Sequence, residues 1–163
     1  MAGHIIYVHE TIQAPPQQVW EVITDVDSYD RILRSVTGSR LLTEGGFEVG
    51  TTWHEKRTVF GHHGSEELHV VECQPPRRAL VETRLGHDLV RTAYSLTPSG
   101  GHEDRTRLAM TTTVEMSGRS PAGNLVWKFF GGFSYDATRR MLQHDLEDIE
   151  AEVARRSAVH DRV

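Results

Sequence analysis

The chain has 163 residues, with 18 Lys and Arg against 23 Asp and Glu, giving a formal charge of -5; this length suits one domain, residues 1-163, with a core of its own. Its one cysteine, Cys73, excludes an internal disulfide and the small secreted scaffolds that depend on one, and the longest run free of Asp, Glu, Lys and Arg, Thr92 to His102, is 11 residues against the roughly 20 of a membrane-spanning helix. An acidic chain without a basic cluster lacks the cations that neutralise phosphate, so nucleic acid is not an expected partner, and a start without a basic head and apolar run places the expected location in the cytoplasm.

His4 to Gln13 alternates Ile6 and Val8 with Ile5 and Tyr7, a strand pattern closed by Ala14-Pro15-Pro16. From Pro16 the spacing becomes helical, with Val19, Val22, Ile23 and Val26 on one face. Asp27-Ser28 predicts a second short helix through Ile32-Leu33, capped by an Asp or Ser side chain. Six further strands follow, at about Val36 to Thr43, Thr51 to Phe60, Ser65 to Gln74, Ala79 to Leu85, Leu89 to Thr97 and Arg105 to Met116, separated by clusters such as Gly61-His62-His63-Gly64 and Pro98-Ser99-Gly100-Gly101. In the last of them Leu108, Met110, Thr112, Val114 and Met116 share one face.

Ser120-Pro121 opens the final pattern, in which Val126, Phe130, Phe133 and Ala137, then Leu142, Leu146, Ile149 and Val153, recur at spacings of three and four. This predicts one long amphipathic helix, broken or kinked at Gly131-Gly132 and frayed from about residue 156. The layout is α+β: a curved antiparallel sheet of about seven strands wrapped around a long C-terminal helix, with two short helices between strands one and two. Such a helix-grip arrangement leaves space between sheet and helix, so a cavity is expected.

Nearly the whole chain resembles the START and birch-pollen-allergen superfamily, SRPBCC, and within it the polyketide cyclase/dehydrase-like group. The resemblance is carried by Ile12-Gln-Ala-Pro-Pro-Gln-Gln-Val-Trp20, Ile23-Thr-Asp-Val-Asp-Ser-Tyr29, Val49-Gly-Thr-Thr-Trp-His-Glu-Lys-Arg57 with Gly61, Val70-Val-Glu-Cys-Gln-Pro-Pro-Arg-Arg78, Tyr94-Ser-Leu-Thr-Pro98 and Leu142-Gln-His-Asp-Leu-Glu-Asp-Ile-Glu150. It implies a pocket for an apolar or aromatic small molecule, as in lipid carriers and in aromatase/cyclases that act on polyketide chains. The arginine and tyrosine that enzymatic members use correspond to about Val71 and Val36 here, neither of which can polarise a carbonyl.

By strand and helix periodicity, Trp53, Glu55, Arg57, His69, Tyr94, Met110, Trp127, Phe130 and Phe133 are the expected pocket lining. Glu55, Arg57, His69 and Tyr94 are the candidates for acid/base or oxyanion work. The competing reading of Trp53, Glu55 and Arg57 is an ion pair on the solvent face, because a one-residue bulge exchanges inside for outside. His62-His63, with His54 and His69, lack a spaced ligand motif and read as solvated turn histidines, so no metal and no cofactor are expected. Cys73 reads as a small buried hydrophobe, and no Gly-x-Ser-x-Gly elbow or phosphate loop is present. Ten histidines predict lower stability below about pH 6 if any is buried neutral.

The expected function is binding of a hydrophobic or aromatic small molecule between sheet and helix. A polyketide aromatase/cyclase or dehydratase is the alternative, and a protein-partner-binding module the second alternative. The oligomeric state, a homodimer included, is left open by the sequence.

Overall fold

A computed structural model describes residues 3–59, 61–85, 87–115 and 135–162. The alternating segments become seven strands: β1 (Gly3–Ile12), β2 (Val36–Leu41), β3 (Thr52–Val59), β4 (His62–Gln74), β5 (Arg78–Leu85), β6 (Asp88–Ser99) and β7 (His102–Glu115). They pair antiparallel in one sheet of order β1-β7-β6-β5-β4-β3-β2. Strands β2 to β7 thus follow one another as a meander, and β1 closes on β7 from the other end of the sequence, with Ile6 opposite Thr112 and Val8 opposite Met110.

The period of two sorts the side chains. Ile6 and Val8 are buried while Ile5 and Tyr7 are exposed, and along β7 the buried positions are Thr106, Leu108, Met110, Thr112 and Val114, as the alternation predicts. The β6–β7 hairpin turns through Gly100 and Gly101, at φ 61° and 74°, a left-handed conformation that a Cβ makes costly.

Between β1 and β2 lie α1 (Pro16–Ile23), a 3-10 turn (Val26–Ser28) and α2 (Tyr29–Ile32). α1 starts with Pro16 in its first turn and buries Val19, Trp20, Val22 and Ile23. The expected side-chain cap of the second helix is absent: the 3-10 turn runs straight into α2, and neither start carries a side-chain cap bond. Asp27 instead accepts from the Leu41 backbone N–H at 3.0 Å, and Ser28 from Arg31 at 2.8 Å. The two helices are tied together by Tyr29, whose buried hydroxyl donates to the Ile23 carbonyl.

The C-terminal helix α3 (Tyr135–His160) buries Met141, Leu142, Leu146, Ile149 and Val153 in the same core as the inner sheet face. Its last turns, read from the sequence as a fraying tail, are helical. The helix continues to His160, with Arg155 and Arg156 bonded to Glu152 and Arg156 also to Asp25 at 2.7 Å. The expected start of this helix at Ser120-Pro121 and its break at Gly131-Gly132 lie outside the described residues. A second departure is at the β3–β4 connection, where His62, His63 and Gly64 belong to β4 rather than to a turn, with His63 opposite Thr58 and Gly64 opposite Arg57.

Candidate functional site

Strand β3 turns Trp53, Glu55 and Arg57 inward, and the solvent-face reading is excluded because Glu55 is 1% exposed. An unpaired carboxylate at such a position is very costly, so the residues around it must supply donors. They do. The Trp53 indole Nε1 donates to Glu55 Oε2 at 3.1 Å, and Arg57 Nε donates to Glu55 Oε1.

Arg57 Nη1 then donates to Asp145 Oδ2 and to Ser35 Oγ, each at 2.8 Å, and the Ser35 hydroxyl donates to Asp145 Oδ1 at 3.3 Å. One guanidinium thereby joins β3, the segment before β2 and α3. Burial works against the Arg57 charge, and Asp145 and Glu55 overcome it, holding the group well above its ordinary value. Burial raises the Asp145 carboxyl above its ordinary value, against the pull of Arg57.

Glu55, Arg57 and Asp145 of this knot line a cavity of about 80 Å³ between sheet and α3. Its apolar wall is Leu68, Val81, Val90, Met110 and Met141. Its polar groups are Glu55, Arg57, Glu66, Thr83, Thr92, Tyr94, Thr112 and Asp145. Strands β3 to β7 contribute alternate residues, such as Val90, Thr92 and Tyr94 from β6, while α3 contributes Met141 and Asp145 at a spacing of four, one above the other on its inner face. Burial, followed by the Glu55 charge, pushes Glu66 up to about 7 against the pull of Arg57. Burial also raises the Tyr94 phenol above its ordinary value, again against Arg57, so this hydroxyl stays protonated at neutral pH.

Of the expected lining residues, Glu55, Arg57, Tyr94 and Met110 come together around this cavity. Trp53 lies behind it, buried in an aromatic cluster with its ring edge-on to Tyr29 at 6.4 Å and tilted against Phe47 at 6.3 Å. His69 does not reach the site: Leu68 and Val70 take the inward positions of β4, and His69 points outward, bonded through Nδ1 to the Thr52 hydroxyl at 3.0 Å. Trp127, Phe130 and Phe133 lie outside the described residues.

Sequence reading missed Glu66 and Asp145. The parity of Leu68 and Val70 carries the signal for Glu66, two residues before Leu68 on the same face, but the adjacent Glu66-Glu67 pair hides which of the two turns inward. Asp145 sits beside Leu142 and Leu146 on the apolar stripe and is legible only as a polar interruption of it.

Other candidate chemistry finds ordinary partners. His54 bonds to Ser65 at 2.6 Å and His63 to Thr58 at 2.8 Å, and among the described residues no three His, Cys, Asp or Glu are grouped to hold a metal ion. Cys73 is partly buried, its thiol raised by burial and by Glu48, with Sγ 3.6 Å from the Phe47 carbonyl. Val36 is buried at the start of β2, and Val71 falls where the β4–β5 register shifts.

The seven-stranded sheet and α3 form the helix-grip fold seen in START and birch-pollen-allergen proteins. Solved structures share it. The protein TTHA0849 of Thermus thermophilus aligns with a TM-score of 0.73 at 18% identity over 94% of this chain and 99% of its own. The Zhui aromatase/cyclase from Streptomyces sp. R1128 aligns at 0.70 and 20% identity, covering 96% of each chain. A START superfamily protein from Mycobacterium smegmatis aligns at 0.69 and 18%, over 93% of this chain and 98% of its own.

The sequence itself narrows the class: the family model for polyketide cyclase/dehydrase and lipid transport matches residues 12–144, and the chain belongs to that family. A search of curated protein sequences finds no significant match. Among the described residues no helix is long and apolar enough to cross a membrane.

Proposed function

We propose that the protein binds a hydrophobic or aromatic small molecule in the cavity between the sheet and α3. The observation that carries this reading is a cavity whose lining combines apolar side chains with polar ones, among them the Arg57 guanidinium held by Asp145, the pattern by which small-molecule sites combine buried area with orientation. Its size limits the ligand. About 80 Å³ is less than the roughly 150 Å³ of an apolar cavity that accepts benzene, so entry must displace side chains. Met110 and Met141, with three rotatable bonds each, are suited to yield.

Native mass spectrometry of the purified protein, together with fluorescence of a neutral naphthalene dye, tests this. The expected result is a bound small molecule or dye uptake in the wild type. Met110→Trp should reduce uptake at least about tenfold, at a stability cost within the roughly 1 to 3 kcal/mol of overpacking. A wild type that takes up neither, or a folded variant that binds as well as the wild type, overturns the proposal.

The aromatase/cyclase or dehydratase reading is favoured by the family and by a protonated Tyr94 hydroxyl and an Arg57 guanidinium facing one cavity. Both are groups able to stabilise an oxyanion. Conversion, rather than binding alone, of a poly-β-ketone in the same experiment decides for it.

A further inference from the structure

We propose that Glu66 is the specificity-determining residue of the cavity: it meets the ligand as a neutral carboxylic acid and donates a hydrogen bond to an acceptor oxygen, of the ketone class, on an otherwise apolar molecule. This rests on the binding function proposed above and names the chemistry of the ligand.

Register supplies the first part of the argument. Glu66 on β4 stands directly opposite Glu55 on β3, and both side chains line the cavity. Two carboxyl groups so placed repel when both are ionised, and Glu55 is buried and Glu66 partly buried, which favours a proton on one of the pair.

Hydrogen bonding decides which. Glu55 already accepts a donor on each oxygen, the Trp53 indole on one and the Arg57 guanidinium on the other. Arg57 is fully engaged on the Nε and Nη1 side by Glu55, Asp145 and Ser35. On the neighbouring strand the Thr83 hydroxyl already donates to the Glu67 carbonyl at 2.7 Å, and its pull on the Glu66 carboxyl is outweighed by burial and by the Glu55 charge. Glu66 is therefore the member that takes the proton, its partly buried carboxyl facing the cavity.

The groups facing it are Glu55 and Arg57 from β3, Thr83 from β5, Tyr94 from β6 and Asp145 from α3. With three carboxyls around one guanidinium, an anionic head is repelled. A neutral acceptor oxygen satisfies the Glu66 proton at no charge cost. The elevated proton affinity of Glu66, which titrates at about 7, then makes uptake of such a ligand fall as pH rises.

Three isosteric single-ring probes separate the possibilities: acetophenone, with a carbonyl oxygen; ethylbenzene, without it; and 1-phenylethylamine, with an ammonium in its place. Their affinities are read from the methyl resonances of 13C-labelled Met110 and Met141 as pH is varied from about 6 to about 9. The acetophenone dissociation constant should rise up to about tenfold per pH unit above 7, following the fraction of protein in the protonated form, while that of ethylbenzene stays flat. Glu66→Gln, which keeps a donor but cannot titrate, should bind acetophenone with a flat profile.

Independently of any variant, the Glu66 side-chain carboxyl 13C shift of the free wild type should titrate near pH 7. Ethylbenzene binding with a pH-independent acetophenone affinity, a preference for 1-phenylethylamine, or a Glu66 midpoint below about 5 each overturns the Glu66 assignment and leaves the cavity as a binding site. No binding of any of the three probes overturns both.

Discussion

Among the described residues Arg57 is the single cation lining the cavity beside three buried or partly buried carboxyl groups, and its replacement shows what the cluster is worth. Removing one partner of a buried ion pair typically costs about 3 to 5 kcal/mol, because the remaining charges lose their compensation. Arg57→Ala should therefore lower the urea-unfolding free energy by that amount at about pH 8, and by less near pH 5, where stranded carboxylates can take up protons. A loss below about 1 kcal/mol at both pH values means that solvent reaches the cluster. Glu66 gives the wild type a pH signature of its own. A carboxyl titrating at about 7 in the fold and at its ordinary value when unfolded makes the folded state hold more protons between those limits, so stability falls as pH rises through that window. Glu152, held down to about 2 by bonds to Arg155 and Arg156, acts in the opposite sense, but only in more acid solution. Unfolding midpoints should thus decline from about pH 5 to about pH 8, and Glu66→Gln should flatten the decline. A wild-type profile that rises over this range is the opposing result. The histidine-based expectation of acid lability has lost its premise, since none of the described histidines whose exposure is defined is buried.

At the scale of elements, α3 is the piece on which core and cavity both depend. It buries five large apolar side chains, Met141, Leu142, Leu146, Ile149 and Val153, and each is worth about 1.5 to 3 kcal/mol of burial. Their sum is comparable with the whole net stability of a domain, about 5 to 15 kcal/mol. A chain ending before Tyr135 should accordingly show no cooperative thermal transition by circular dichroism; a sharp melt at the full-length temperature would show that the sheet stands alone. The elements were largely legible because their periods are strong: Leu108, Met110, Thr112 and Val114 announce a strand face, and Leu142, Leu146, Ile149 and Val153 a helix stripe. The misread boundaries have local causes. Asp27 and Ser28 resemble caps, yet Asp27 is drawn off by the Leu41 amide across to β2, a contact between residues that no local pattern connects. The charged end of α3 resembles a fraying tail, yet Arg156 is held by Asp25 from the loop after α1.

For the whole molecule, the fold was readable and much of the site was not. Glu55, Arg57, Tyr94 and Met110 reach one cavity because each follows the parity of its own strand. Asp145 and Glu66 become visible only when β3, β4 and α3 are assembled, since their roles are set by neighbours distant in the sequence or across a hairpin. His69 fails for the same reason in reverse, its strand's inward positions being taken by Leu68 and Val70.

The closure of the sheet by β1 on β7 has a consequence in time. Strands β2 to β7 pair with their sequence neighbours, so they can assemble through short loop closures, whereas β1 must find β7 across about a hundred residues, the separation of the Tyr7–Arg107 hydrogen bond. Long closures cost more entropy before any contact rewards them, and they come late. α3 also joins late, because Arg57 and Ser35 must already be placed to receive Asp145 and because α3 packs against β1. The cavity, which α3 walls with Met141 and Asp145, is thus among the last features the chain makes on folding and among the first it loses on unfolding. An occupant held there binds the native state alone, so it slows escape from that state and leaves the rate of reaching it unchanged.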